Sequence, residues 1–272
     1  ALGIRHFVLS ARNPGPWTGD GNNTFLLPGR VPALIDAGVG HAAHLDEIGA
    51  RLAEAARDGS ALLARVIVTH AHSDHASGAP AIAARWPGAA FEKMPWPERD
   101  GRWLVDWKAL ADDDVVDAGD VRLRVIHTPG HAPDHLSFFE EESRTLFCGD
   151  LVVSGATVVI PAGRGGDLAA YLRSLERVIA LEPRRLLPAH GSPIDEPATV
   201  LREYVAHRRM REQQIVDLLT LGPATAESLV EQMYRGLRPE LREGAVGSVL
   251  AHLIKLRDEA RAADVEGRWR LT

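Results

Sequence analysis

The alternation of apolar and polar positions divides the chain into a mixed front region and a helical tail. Apolar runs at 25–27 and 33–35, separated by a Pro28-Gly29 turn, predict a β-hairpin that ends at Asp36. Leu45, Ile48, Leu52 and Ala55/Ala56 recur at helical spacing over 44–57, and the β-branched run 65–69 predicts a buried strand after that helix. A short helix is expected over 77–85, a half-exposed strand over 121–126, and an antiparallel pair at 135–139 and 145–148. Leu168, Tyr171/Leu172, Leu175 and Val178/Ile179 predict a helix capped by Asp167, followed by a strand at 185–188.

After Pro197 the periodicity is helical over 199–219, 226–234 and 240–262, with breaks at Gly222-Pro223 and at 236–239. The last residues, 264–271, read as two short extended pieces around Glu266-Gly267, so the tail has the pattern of a three-helix unit with a β-wing. The expected organisation is a main α/β domain over 1–197 and a small winged-helix-like domain over 198–272. No 20–50-residue repeat period is present, which excludes a solenoid.

Composition narrows the class. Of 272 residues, 45% are hydrophobic and 25% charged, the balance of an ordinary globular protein. A single cysteine, Cys148, can form no internal disulfide and reads as a buried core residue in a reducing compartment. Residues 1–10 lack the basic and apolar regions of a secretory leader, and no run is long and apolar enough to span a bilayer. A cytoplasmic protein without a membrane partner is therefore expected. The net charge of -6 argues against a basic surface along the whole chain.

The candidate chemistry concentrates after the 65–69 strand, in Thr69-His70-Ala71-His72-Ser73-Asp74-His75. Three imidazoles and a carboxylate within six positions have the density of a metal site, and the absence of thiolates favours an open catalytic site over a closed structural one. His70 and His72 can face one ion, Asp74 and His75 a second. Further donors stand at other strand ends: His131 after 121–126, Asp150 after 145–148 and His190 after 185–188, each beside a glycine.

In this order, a strand-end Asp36, His70/His72/Asp74/His75, His131, Asp150 and His190 resemble the five signatures of the metallo-β-lactamase superfamily. The resemblance implies an αββα sandwich and two divalent metal ions, Zn²⁺ foremost with Mn or Fe as alternatives. It implies that His70, His72 and His131 hold one ion, that Asp74, His75 and His190 hold the other, and that Asp150 bridges them. Hydrolysis by a hydroxide between the two ions is the expected reaction. Asp74 and His135 are the candidate catalytic residues. His135 is offered as a leaving-group acid against a favoured structural role, and Asp36 as either an orienting carboxylate or a strand-end cap.

The segments 13–24, 128–135 and 207–214 further resemble the beta-lactamase-like protein 2 family, which includes endoribonucleases of single-stranded RNA and thioesterases. A small ester or thioester, acyl-CoA-like, is the expected substrate. Trp17, Phe25, Trp96, Trp103 and Trp107 are candidate pocket walls for it, and the 94–101 segment is a candidate cover. Single-stranded RNA, contacted by Arg208, Arg209, Arg211, Arg268 and Arg270, is the close alternative. A β-lactamase, a hydroxyacylglutathione hydrolase and a non-catalytic metal-binding nucleic-acid-binding protein rank lower.

Overall fold

Period-two alternation along the strands builds the layers. The computed structural model describes residues 3–56, 62–155 and 157–272; residue 57 of the expected first helix and residues 1 and 2 of the stretch read for a leader lie outside them. One sheet holds, in chain order, β1 (Phe7–Ser10), β2 (Asn23–Leu27), β3 (Ala33–Ile35), β4 (Arg65–Ile67), β5 (Ala90–Lys93) and β6 (Trp107–Ala109). A second sheet joins β7 (Val115–Ala118), β8 (Val121–His127), β9 (Leu136–Glu140), β10 (Thr145–Gly149) and β11 (Arg185–Pro188), with β7 and β11 at its edges. As expected, β2 and β3 form an antiparallel hairpin and β9 pairs antiparallel with β10.

Phe25, Leu27, Ile35 and Ile67 face inward and meet Leu123, Val125, Leu136, Phe138 and Phe147 of the other sheet. Their neighbours Leu26, Leu34 and Val66 face outward, against Ile48 and Leu52 of α1 (Ala42–Ala55). A one-turn α2 (Ser73–Ala76) leads into α3 (Ala79–Arg85), whose Ile82 joins that layer. A further short turn, α4 (Pro97–Asp100), lies within the 94–101 segment. On the far side, Ile126, Phe139, Leu146 and Leu186 pack against Leu175 and Val178 of α5 (Leu168–Ala180) and Leu201 and Tyr204 of α6 (Pro197–Thr220). The result is the αββα sandwich, each buried aliphatic contributing about 1.5–3 kcal/mol of transfer free energy. Asp167 caps α5 as expected, its Oδ1 accepting Ala170 N–H at 2.9 Å.

The tail continues with α7 (Ala226–Met233), opened by a Thr225–Ser228 capping box, and α8 (Arg242–Asp258). The helix expected over 240–262 is shorter than that: Pro239–Leu241 form a 3-10 turn before it, and Ala262 already begins β12 (Ala262–Val265), which pairs with β13 (Arg268–Leu271) as the wing. The expected boundary at 197/198 coincides with the start of α6, yet the packing does not change there. Leu201, Tyr204 and Val205 belong to the sandwich core, whereas Ile215 and Leu219, with Val216 and Leu218 beside them, enter the tail's core with Leu229, Leu253 and Trp269. No helix among the described residues is long and apolar enough to cross a membrane.

Candidate metal centre

The strand ends converge at one edge of the sandwich. His70 follows β4, His131 follows β8, Asp150 follows β10 and His190 follows β11. His72 and Asp74 flank the start of α2, which turns His75 back under the sheet edge. Gly149 is required there: with φ of +50°, its Cβ would lie 2.6 Å from His135 Nε2.

Two groups of donors result. His72 Nδ1 lies 2.9 Å from both His70 Nε2 and His131 Nε2. Thr69 Oγ1, which donates to Asp36, is 3.0 Å from His70 Nδ1, and Val159 O accepts from His131 Nδ1 at 2.7 Å. These bonds put the ring protons of His70 and His131 on the far nitrogens, so lone pairs face the space between the three rings. In the second group, His75 Nε2 is 3.4 Å and His190 Nε2 3.6 Å from Asp74 Oδ2. Asp150 stands between the groups: Oδ2 is 3.5 Å from His131 Nε2, and Oδ1 is 3.5 Å from His75 Nε2 and 3.3 Å from His190 Nε2. Three overlapping triads of ligand atoms, each within 4.8 Å, follow: His70/His72/His131, His70/His75/Asp150 and Asp74/His75/His190.

This donor set fits divalent cations. Three converging lone pairs repel unless a cation lies between them, and Asp150 Oδ1 is buried with no hydrogen-bond partner among the described residues. The electrostatics agree. Burial, reinforced by the neighbouring imidazoles, lowers the His70 and His72 pKa values, and burial lowers that of His131 despite Asp150. At His190 burial also opposes the charged form, but Asp150 and Asp74 outweigh it and raise the pKa to about 9. At His75 burial is likewise overcome, by Asp74, Asp36 and Asp150. The site thus pairs three neutral imidazoles with a carboxylate-rich half that attracts positive charge.

A supporting layer orients these ligands. Asp36 accepts Thr69 N–H at 2.8 Å through Oδ1, and its Oδ2 accepts from His75 Nδ1 at 2.8 Å. It combines the two roles expected of it, capping the strand end and orienting a histidine. Asn22 Nδ2 donates to Asp74 Oδ2 at 3.1 Å. Asp134 Oδ2 accepts Ala71 N–H at 2.9 Å and Lys93 Nζ at 3.2 Å, so a lysine that is 1% exposed braces the His70–His72 loop from beneath.

His135, offered as a leaving-group acid against a favoured structural role, contacts the backbone of Asp150. It is fully buried, its Nε2 accepts Asp150 N–H at 2.9 Å, and its Nδ1 lies 2.8 Å from Thr128 Oγ1. Both nitrogens are engaged, and burial, aided by His131, lowers its pKa to about 3. It holds the Asp150 backbone, and its one ring proton, on Nδ1, faces Thr128 Oγ1. Of the aromatic candidates, Trp17 lines the cleft and Trp96 packs on Ala71 and Ala132 beside His72. Phe25 is instead in the sandwich core, and Trp103 and Trp107 pack against the α1–α3 layer. Cys148 is a core residue, its thiol pKa pushed up to about 12 by burial. Asn22, Lys93 and Asp134 escape a reading by residue type. The Gly21-Asn22-Asn23 run before β2 is the one local signal for Asn22.

A two-sheet sandwich with seven His and Asp donors at one edge defines a class of metal-binding αββα proteins. Residues 17–190 match the metallo-beta-lactamase superfamily model and residues 225–269 match the beta-lactamase associated winged helix domain. The chain belongs to the metallo-beta-lactamase superfamily. It is 31% identical over 261 residues to a beta-lactamase-like protein 2 homolog of Drosophila melanogaster, covering 92% of this chain and 86% of that protein. It is 29% identical over 276 residues to an atrochrysone carboxyl ACP thioesterase of Aspergillus chevalieri, covering 95% and 84%. Among solved structures, a metallo-beta-lactamase family protein of Thermus thermophilus superposes with a TM-score of 0.82 at 24% identity, covering 98% of each chain.

Proposed function

We propose that the protein is a metal-dependent hydrolase of small esters or thioesters, acyl-CoA-like in character. The observation that carries this reading is a cleft of about 1420 Å³ with His72, Asp74, His131, Asp150 and His190 lining it, walled by the sandwich on one side and by α6 and α8 on the other. A cleft of that size accommodates an extended acyl chain with its carrier arm. The thioesterase relative, alike over nearly the full chain, supports the same substrate class.

In this reading His70, His72 and His131 would hold one divalent ion and Asp74, His75 and His190 the other, with Asp150 as the ligand shared between them. When bound, such ions supply Lewis acidity and make water acidic enough to ionise near neutral pH. Asp36, Asn22 and the backbone bond from Asp150 to His135 fix the ligands before substrate arrives. Asp74, at 25% exposure, is more open to the cleft than Asp150 at 11%. A thiolate, with a pKa of about 8.5, departs without a general acid, so a thioester does not require a leaving-group acid at His135.

The arginines weigh against an extended RNA track. Arg208 and Arg211 line the cleft, whereas Arg209 pairs with Glu176 and Arg268 donates to Pro223 O. The test is hydrolysis by metal-stripped and Zn²⁺- or Mn²⁺-restored protein, wild type beside Asp74→Ala, on an acyl-CoA panel and on single-stranded RNA. Metal-restored, Asp74-dependent thioester turnover is expected. RNA cleavage alone would overturn the substrate class.

A further inference from the structure

The wall that α6 gives the cleft carries positive charge that the protein leaves unneutralised. Arg208 and Arg211 lie three residues apart on α6 and so on one face of it. Arg208 is 4% exposed; its guanidinium lies 5.3 Å over the Tyr171 ring and donates to Val158 O, while its Nε has no hydrogen-bond partner among the described residues. Arg211 stacks 4.4 Å over the Tyr234 ring and donates to Gln214 Oε1 at 2.9 Å, and its Nε is likewise buried and unmatched. Neither forms an ion pair with a carboxylate among the described residues. Glu212 turns away from them, toward Lys255 and Arg261. Glu203 is the one carboxylate of α6 on the cleft.

Burying a guanidinium without a counter-charge costs the fold desolvation energy that nothing in the tail's packing requires. Each cation lies over an aromatic face and keeps an Nε–H that no group among the described residues matches, a donor that an oxyanion could satisfy. We propose that Arg208 and Arg211 form an oxyanion subsite that receives a phosphate or carboxylate carried by the substrate away from the bond that breaks. This rests on the hydrolase reading and narrows it: the substrate is an anionic thioester or ester, and α6 selects it by charge.

The test pairs binding with kinetics. Metal-loaded wild type, Arg211→Gln, Arg211→Lys and Arg208→Lys, checked for folding by circular dichroism, are titrated calorimetrically with desulfo-coenzyme A, which has phosphates and no thiol, and with glutarate. At least one probe should bind wild type and lose about tenfold or more in affinity in Arg211→Gln, with a smaller loss in Arg211→Lys, which keeps the charge but not the stacked fork. A shift confined to desulfo-coenzyme A places the anion on the leaving arm; a shift confined to glutarate places it on the acyl chain. In parallel, butyryl and glutaryl thioesters of coenzyme A and of N-acetylcysteamine are hydrolysed by the same proteins. The anionic member of the relevant pair should show a raised KM with little change in kcat in Arg211→Gln. Equal affinity of both probes for wild type and Arg211→Gln, or binding of neither, overturns the subsite even if thioesters turn over. Arginine-dependent binding without turnover of any thioester keeps the subsite and removes the thioesterase reading.

Discussion

Replacing Asp36 by asparagine separates its two roles. The residue sits 2% exposed with φ of +63°, a left-handed backbone that asparagine also tolerates, so the variant changes hydrogen bonding and charge with little added strain. Three donors converge on the carboxylate: Thr69 N–H and Thr69 Oγ1 on one side and His75 Nδ1 on the other, the nearest two at 2.8 Å. An amide offers one oxygen and sets its NH₂ against the remaining donor. One charge-assisted bond is lost and a buried donor is left unmatched, a cost of about 2–3 kcal/mol. Because His75 is a candidate ligand, metal affinity should fall about 10–100-fold. Competition between the protein and a chromogenic chelator for Zn²⁺ reads the affinity, and urea unfolding of the metal-free protein reads the stability. Wild-type affinity together with reduced stability would show that Asp36 only caps the strand end, and would refute the argument that it orients His75.

Three further outcomes follow from the packing. His44 is fully buried beside Thr24, and burial, opposed by Glu47, lowers its pKa to about 4. Its neutral form is favoured in the fold, so the unfolded chain binds more protons between pH 6.5 and about 4. Stability contributed by this residue is complete above that window and falls by up to about 3 kcal/mol as acid is added, and urea unfolding across the window should show a flatter slope in His44→Gln. Gly149→Ala should cost metal affinity and stability together, by several kcal/mol in total, because the added Cβ meets His135 Nε2 on a strained backbone; metal content and melting temperature check it. Cys148 should resist iodoacetamide in the folded protein at about pH 8 and react after denaturation, as followed by intact mass.

The elements legible in the sequence are those whose side chains obey one environment throughout. β4 is apolar after Arg65, α5 shows a clean stripe behind Asp167, and the ligands cluster where strands end. β5 breaks the rule: Glu92 and Lys93 are buried and charged, made tolerable by Arg65 for the first and by Asp134 and Asp100 for the second. No hydropathy pattern reveals partners brought from elsewhere in the chain. β1 and β7 leave little trace in the pattern because each shows its sheet only two or fewer buried side chains. His135 is recognisable as a site residue by type and spacing, but its role is set by Thr128 and the Asp150 amide, neither of which its sequence position discloses. The expected boundary at 197/198 fails to mark the packing change because α6 serves one core with its first turns and another with its last.

That shared helix has a mechanical meaning. Twenty-four residues of continuous α-helix make a rod about 36 Å long, anchored at one end in the sandwich and at the other in the winged unit. The tail is therefore a cantilever and not a pendant, and the spacing between Arg208, Arg211 and the metal ligands is a length set by helical rise. Cutting at 198 would strip Leu201 and Tyr204 from the sandwich and leave an exposed apolar sheet face. Cutting after Thr220, where Leu221 and Gly222 turn the chain, would in its turn strip Ile215 and Leu219 from the winged unit's core. Inserting or deleting residues inside α6 would swing the arginines about 100° around the helix axis per residue, so substrate choice and architecture cannot be altered independently along this segment.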